Sequence, residues 1–207
     1  MPRLVGGSAG GRHIKAPPGG GVRPATARAR KSLFDYLAQV TPGARTLDLY
    51  CGSGGLGLEA LSRGAAGAWF VDSGRHSIET VRDNAARLGF ADCCHYARRD
   101  VFAFLHGLAE QGAPQFDLIF AAPPYRIAEP ARILEAIAAA AAAAPGASVC
   151  LEFSRHTPSP HSQDFRLDRR REYGETVIEV WDRLAARGEA APDAASSAAE
   201  TPSGAQL

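Results

Sequence analysis

The sequence predicts an α/β protein built on a parallel, doubly wound sheet. Between residues 46 and 153 short apolar runs alternate with segments of helical period, the alternation that builds parallel sheets. A glycine-rich turn follows the first run, and an acid sits near the end of each of the first three. With 207 residues, 45% of them hydrophobic, the chain can fill one core and carry appendages.

The elements follow in order. Residues 1–24 are rich in Gly and Pro and hold two strand-like pieces, Arg3-Leu4-Val5 and Arg12-His13-Ile14-Lys15, which read as a hairpin or an arm. Thr26 can cap a helix over 27–40 that carries Leu33, Phe34 and Leu37 on one face and ends at Pro42-Gly43. A strand is expected at 46–50 and a helix around 56–63. A second strand at 68–71 leads to a helix over 75–88, ended by Gly89. A third strand at 93–97 precedes a helix at 101–108, and a fourth strand at 118–120 precedes a helix at 129–144, stopped by Pro145-Gly146. A fifth strand lies at 148–153. Two further strand patterns, 165–169 and 176–184, are close enough to pair as a hairpin. From Ala185 the Ala/Ser/Pro/Gly/acid mixture lacks core residues and is expected to be disordered. The expected organisation is an arm and helix (1–41), a sheet domain (42–184) and a tail (185–207).

A formal charge of +1 says little about partners, but its distribution says more. Arg3, Arg12, Lys15, Arg23, Arg28, Arg30 and Lys31 precede Phe34 with no acid among them, and such a cluster attracts phosphate-rich partners. Cys51, Cys93, Cys94 and Cys150 lack a paired C-x-x-C spacing, so no metal site is expected and the thiols read as inert in a reducing compartment. The N-terminus has no apolar stretch of signal-peptide length, and the longest apolar run, Ala136 to Ala144, is too short to span a bilayer. A soluble, cytoplasmic protein with no membrane partner is expected.

Asp48-Leu49-Tyr50-Cys51-Gly52-Ser53-Gly54-Gly55-Leu56-Gly57 joins the first strand to its helix. Gly52, Gly54 and Gly57 satisfy G-x-G-x-x-G, a weak signal alone. The glycines, with Ser53 between them, let the backbone approach a ligand. A dinucleotide would set its pyrophosphate on the helix N-terminus; S-adenosylmethionine instead brings an ammonium and a sulfonium. Asp48 opposes a pyrophosphate and suits a cation. Asp72 stands where a carboxylate takes the ribose hydroxyls of either ligand, and Asp100 is placed to reach an adenine amine. Helix and turn capping is the structural alternative for Asp48 and Asp100. Three acids together favour the methyl donor.

The fourth strand runs into Ala122-Pro123-Pro124-Tyr125. In an open α/β sheet the ligand lies at the switch point, which for a sheet binding a methyl donor is expected between strands one and four. A proline pair turns the chain rigidly and leaves the carbonyls of Ala122 and Pro123 free of competing N–H groups. Tyr125 can stack on a flipped-out base. An ordinary proline-terminated strand with a core tyrosine is the alternative.

Together these segments resemble the bacterial RsmD family, which methylates a guanine N2 in 16S ribosomal RNA. The resemblance covers residues 3–184 and rests on Arg3-Leu4-Val5-Gly6-Gly7 with Gly11-Arg12, on Val22-Arg23-Pro24 leading to Arg28, Arg30 and Leu33-Phe34, on the block Leu56 to Ala65, and on Glu172-Tyr173-Gly174. It implies a Rossmann-like class I methyltransferase fold with seven strands, the last antiparallel, and S-adenosylmethionine as cofactor. The substrate implied is 16S rRNA in an assembling small subunit, bound by a monomer through Arg12, Arg23, Arg28 and Arg30.

Departures from the family bear on activity rather than on fold. Amino-methyltransferases usually carry Asp or Asn before Pro-Pro, an oxygen that accepts a hydrogen bond from the amine. Here Ala122 offers no acceptor. Ala27 replaces an acid usual after Arg-Pro, Lys31 displaces a glutamate usual before Leu-Phe, and Ser73-Gly74 follow Asp72 where bulkier residues are expected. Losing one oriented hydrogen-bonding group costs about 10²–10³ in rate. Two rival readings stand beside the rRNA methyltransferase. One is an inactive RNA-binding assembly factor, favoured by Ala122 and opposed by the intact cofactor loop. The other is a DNA adenine-N6 methyltransferase, opposed by the small size and the arm.

Overall fold

The computed structural model describes residues 2–18, 26–111, 115–125 and 129–184. Twelve helices and strands are defined there: α1 (Ala27–Tyr36), β1 (Arg45–Leu49), α2 (Gly55–Ser62), β2 (Gly67–Asp72), α3 (Arg75–Leu88), β3 (Cys94–Arg98), α4 (Val101–Gln111), β4 (Phe116–Ala121), α5 (Pro130–Ala139), β5 (Ala143–Ser154), β6 (Phe165–Tyr173) and β7 (Thr176–Arg183). They form one sheet in the order β3-β2-β1-β4-β5-β7-β6. The first five strands run parallel, and β7 is antiparallel to both β5 and β6. The order reverses between β1 and β4, the switch point expected for this class of sheet.

Side chains on these strands alternate between two apolar layers. Leu47, Leu49, Ile119 and Val149 pack with Leu105 of α4 and Ile133, Leu134 and Ile137 of α5. Phe70, Leu118, Phe120 and Cys150 point the other way, against Phe34 of α1, Leu58 of α2 and Val81 of α3. Thr46 and Asp48 lie out of phase with Leu47 and Leu49 and are also buried, because both faces of the sheet are covered.

The N-terminal segment lies against α2 and α3. Arg3 and His13 form a single antiparallel bridge, and Leu4, Ala9 and Ile14 are buried in the α1–α3 layer. Val5 N–H donates to Glu59 Oε2 at 2.7 Å, Ser8 N–H to the Ser62 carbonyl at 2.7 Å, and Lys15 N–H to Asn84 Oδ1 at 2.8 Å. Gly7 has φ +72°, and a Cβ there would lie 1.8 Å from the Ser62 carbonyl oxygen. Only glycine fits this contact.

Thr26 caps α1 as expected, its hydroxyl accepting from Ala29 N–H at 3.2 Å. The helix stops at Tyr36 and continues as a 3₁₀ turn over Leu37–Gln39. α5 is shorter than its alanine-rich sequence predicts. Helix was expected to Ala144, but α5 ends at Ala139 and Ala141 takes φ +47°. β5 begins at Ala143, and Pro145-Gly146 lie inside its span, where the β4–β5 register slips. Alanine favours helix, but packing decides here: Ala140, Ala142, Ala143 and Ala147 are small enough to bury directly. Arg23 and the tail from 185 lie outside the described residues.

Candidate active site

The C-terminal ends of β1, β2 and β4 and the loop before α4 open onto a cavity of about 450 Å³, within the range of small-molecule sites. Asp48, Asp72, Asp100, Gly52, Ser53, Ala122 and Pro124 all line it. Gly54 stands behind this wall with φ +76°, where a Cβ would lie 2.9 Å from Val81. At Gly57 a Cβ would lie 2.5 Å from the Phe70 ring. This close approach lets Gly57 N–H donate to Asp48 Oδ2 at 2.9 Å.

The three acids are held differently. Asp48 is buried, and its pKa is pushed up to about 8 by desolvation and by repulsion from Asp72, against the Gly57 hydrogen bond. Asp72 accepts from Gly52 N–H at 3.0 Å and from Gly74 N–H at 2.8 Å, which fixes the glycine loop to the end of β2. A side chain on Gly74 would crowd Asp72 Oδ1, with its Cβ 3.0 Å away. Asp100 Oδ1 accepts from Phe102 and Ala103 N–H groups, both at 3.0 Å, so it caps α4 while facing the cavity. Capping and cavity lining coexist in Asp100, since a carboxylate has about four lone-pair sites.

Ala122 follows β4, its N–H 3.5 Å from the Leu49 carbonyl. Pro123 is buried and Pro124 lines the cavity. Tyr125 is 36% exposed, and its hydroxyl lies 2.6 Å from Thr176 Oγ1 at the start of β7, which anchors the ring at one end.

The basic residues divide. Arg12 is exposed and donates to the Arg87 carbonyl. Arg28 is exposed and shares a shallow surface groove with Lys31, Tyr36 and Arg169, whose guanidinium lies 4.3 Å from the Tyr36 ring centroid. Arg30 does not stand on the outer surface as Arg12 and Arg28 do. It is 3% exposed, donates to the Arg3 carbonyl at 2.7 Å and lines the cavity; its Nε is buried without a partner among the described residues. The spacing to Leu33, Phe34 and Leu37 puts it on the buried face of α1.

Glu152 on β5 also lines the cavity, and reading the sequence missed it. It is 6% exposed, and desolvation raises its pKa to about 7 against the nearby Arg30 charge and the Tyr125 hydroxyl. The signal was an acid inside the apolar run Val149 to Phe153. Among the described residues no group of three or more His, Cys, Asp or Glu could hold a metal, and no helix is long and apolar enough to cross a membrane.

This strand order, the glycine loop after β1 and the acids at the strand ends define a class I methyltransferase fold. The family described as Conserved hypothetical protein 95 matches residues 2–182. YlbH of Bacillus subtilis is 32% identical over 182 residues, 87% of this chain and 98% of that one. The ribosomal RNA small subunit methyltransferase D of Escherichia coli K12 is 40% identical over 124 residues, 60% of each protein. Among solved structures, Escherichia coli yhhF has a TM-score of 0.77 at 30% identity, covering 89% of this chain and 98% of that one. A Thermus thermophilus protein has a TM-score of 0.74 at 31% identity, covering 87% of this chain and 98% of that one. The chain belongs to this methyltransferase family, the one its resemblance to RsmD indicated.

Proposed function

We propose that the protein transfers a methyl group from S-adenosylmethionine to the N2 amine of a guanine in 16S rRNA of the small ribosomal subunit. The observation that carries this reading is one cavity lined both by the acids of the glycine loop and by the Pro-Pro turn. The relative named ribosomal RNA small subunit methyltransferase D supports the substrate.

The residues present suit the donor. Among the described residues, Asp48, Asp72 and Asp100 around the glycine loop outnumber the one guanidinium in the cavity, Arg30, a balance that favours a cationic ligand. Asp48 would meet the ammonium group, Asp72 the ribose hydroxyls and Asp100 the adenine amine, with Gly52, Ser53 and Gly54 shaping the loop beneath. When bound, the donor supplies an electrophilic methyl group.

The chain's own task is orientation. Guanine N2 is a poor nucleophile, because its lone pair is delocalised into the ring. The carbonyls of the proline turn accept from the amine and turn its lone pair toward the methyl carbon, while Tyr125 stacks on the extruded base. Ala122 withdraws one acceptor from this set and slows the reaction. Exposed Arg12 and Arg28, together with Arg23, engage RNA phosphates.

The reading is tested by calorimetry with S-adenosylmethionine and its demethylated product. Micromolar binding is expected; no binding to folded protein, or a preference for NAD, would sink it. An inactive RNA-binding factor is the second reading, and Ala122 is the observation that favours it.

A further inference from the structure

Among the described residues four carboxylates are buried: Asp48, Glu59, Glu152 and Glu179. Three have partners that account for them. Glu59 accepts from Val5 N–H at 2.7 Å and Arg63 Nε at 2.8 Å. Glu179 accepts from Ser159, Arg170 and Trp181 at 2.7, 2.7 and 3.0 Å. Asp48 holds Gly57. Among the described residues Glu152 has no such structural duty. The groups among them that act on its charge are Arg30 and the Tyr125 hydroxyl, and neither forms an ion pair with it. Burying a carboxylate with spare acceptor capacity is costly, and its free capacity faces the cavity.

The register places this group. Ala121 of β4 pairs with Leu151 of β5, so the next residues on the two strands are Ala122 and Glu152. Adjacent strands lie about 4.8 Å apart. A carboxylate thus stands one strand over from the position that lacks one, on the same cavity.

We propose that Glu152 accepts the proton of the target amine as the methyl group is transferred. This rests on the function proposed above. The amine lone pair forms the N–C bond, the methyl–sulfur bond breaks with its electrons left on sulfur, and the N–H proton passes to the Glu152 carboxylate. Arg30 from α1, Asp48 from β1, Tyr50 and Cys51 from the loop after it, Asp72 from β2 and Asp100 before α4 line the same cavity, and Tyr125 from the turn after β4 acts on Glu152 as Arg30 does. Arg30 favours the ionised, proton-accepting form, and burial opposes it.

The test uses the full chain and small subunits lacking the mark, with Glu152→Gln and Glu152→Asp. Gln keeps an acceptor for the Tyr125 hydroxyl but cannot take a proton. Its rate is expected to fall by about 10², the size of a general-base contribution, with Asp retaining much of the activity. Affinity for the demethylated donor product and melting temperature should stay near wild type. The wild-type rate should rise with pH through about 7, the range to which burial raises this carboxyl, and Gln should lose that limb. Carbon-13 NMR of the Glu152 carboxyl should titrate in the same range without substrate.

A Gln variant within threefold of wild type would overturn the proposal and leave Glu152 a support for Tyr125. So would titration below pH 5, or an active Ala122→Asp beside a silent wild type, which would leave the function itself standing. No transfer by either protein would overturn the function, and this proposal with it.

Discussion

Asp48 and Glu152 make the strongest statements a single residue makes here. Burial holds both pKa values above those of an unfolded chain, to about 8 and about 7. The folded state therefore keeps protons that the unfolded state releases near pH 4. Stability from these groups is fully present below that pH and is lost as pH rises through 7 and 8. The ligand-free protein should melt lower at pH 8.5 than at pH 5.5 by calorimetry, and Asp48→Asn should remove the upper part of that slope. A cationic ligand stabilises the ionised form, so donor affinity should rise over the same range and Asp48→Asn should weaken binding. A melting temperature independent of pH in both proteins would place Asp48 outside the low-dielectric site. The roles of Asp48, Asp72 and Asp100 follow from their positions at the C-terminal ends of strands, and the fold sets all three on one cavity. Glu152 occupies the equivalent place near the end of β5 inside an apolar run, where burial and not spacing reveals it.

At the scale of elements, local pattern was legible where a helix carries its own punctuation. α3 runs from Arg75 to Leu88, with Gly89 at φ +82° ending it, as its period and terminal glycine required. α5 was overrun because an alanine stretch signals helix while tertiary packing bends it away. The contact of the Arg3–Gly7 segment with α2 was not visible in either sequence block alone; it appears only when Gly6 and Gly7 meet Ser62 and Arg63. Gly7→Ala should cost about 1–3 kcal/mol in urea unfolding, the range for a forced overpacking, because both the positive φ and the 1.8 Å approach forbid a methyl group. In α1, Arg28 and Arg30 should separate. Arg28→Glu should weaken RNA binding and reduce its salt dependence by about one phosphate contact without changing the melting temperature. Arg30→Glu should lower the melting temperature, since it inverts a buried charge beside Glu152 and Glu59. Equal effects of the two substitutions on RNA affinity and stability would contradict the division.

At the scale of the whole molecule, the strand order brings together groups that the sequence spreads over a hundred residues, from Asp48 to Glu152. β7 is the last strand along the described chain, and Leu184 N–H just after it still donates to the Asp164 carbonyl at 2.9 Å. Truncation after Leu184 should therefore leave the melting temperature and donor binding unchanged; a large loss would show that the tail packs on the sheet. The family and the α/β topology were legible because motif spacing and alternation are local properties. The fate of the missing acceptor was not, because it depends on which strand lies next to β4. The most direct measurement is transfer of labelled methyl from S-adenosylmethionine to small subunits lacking the mark, with the RNA digested and the product nucleoside identified. Label in 16S rRNA as N2-methylguanosine is expected from the wild type, and about 10² faster from Ala122→Asp, the size of one oriented hydrogen-bonding group. Binding of the donor by both proteins with no label in RNA from either would contradict the central claim.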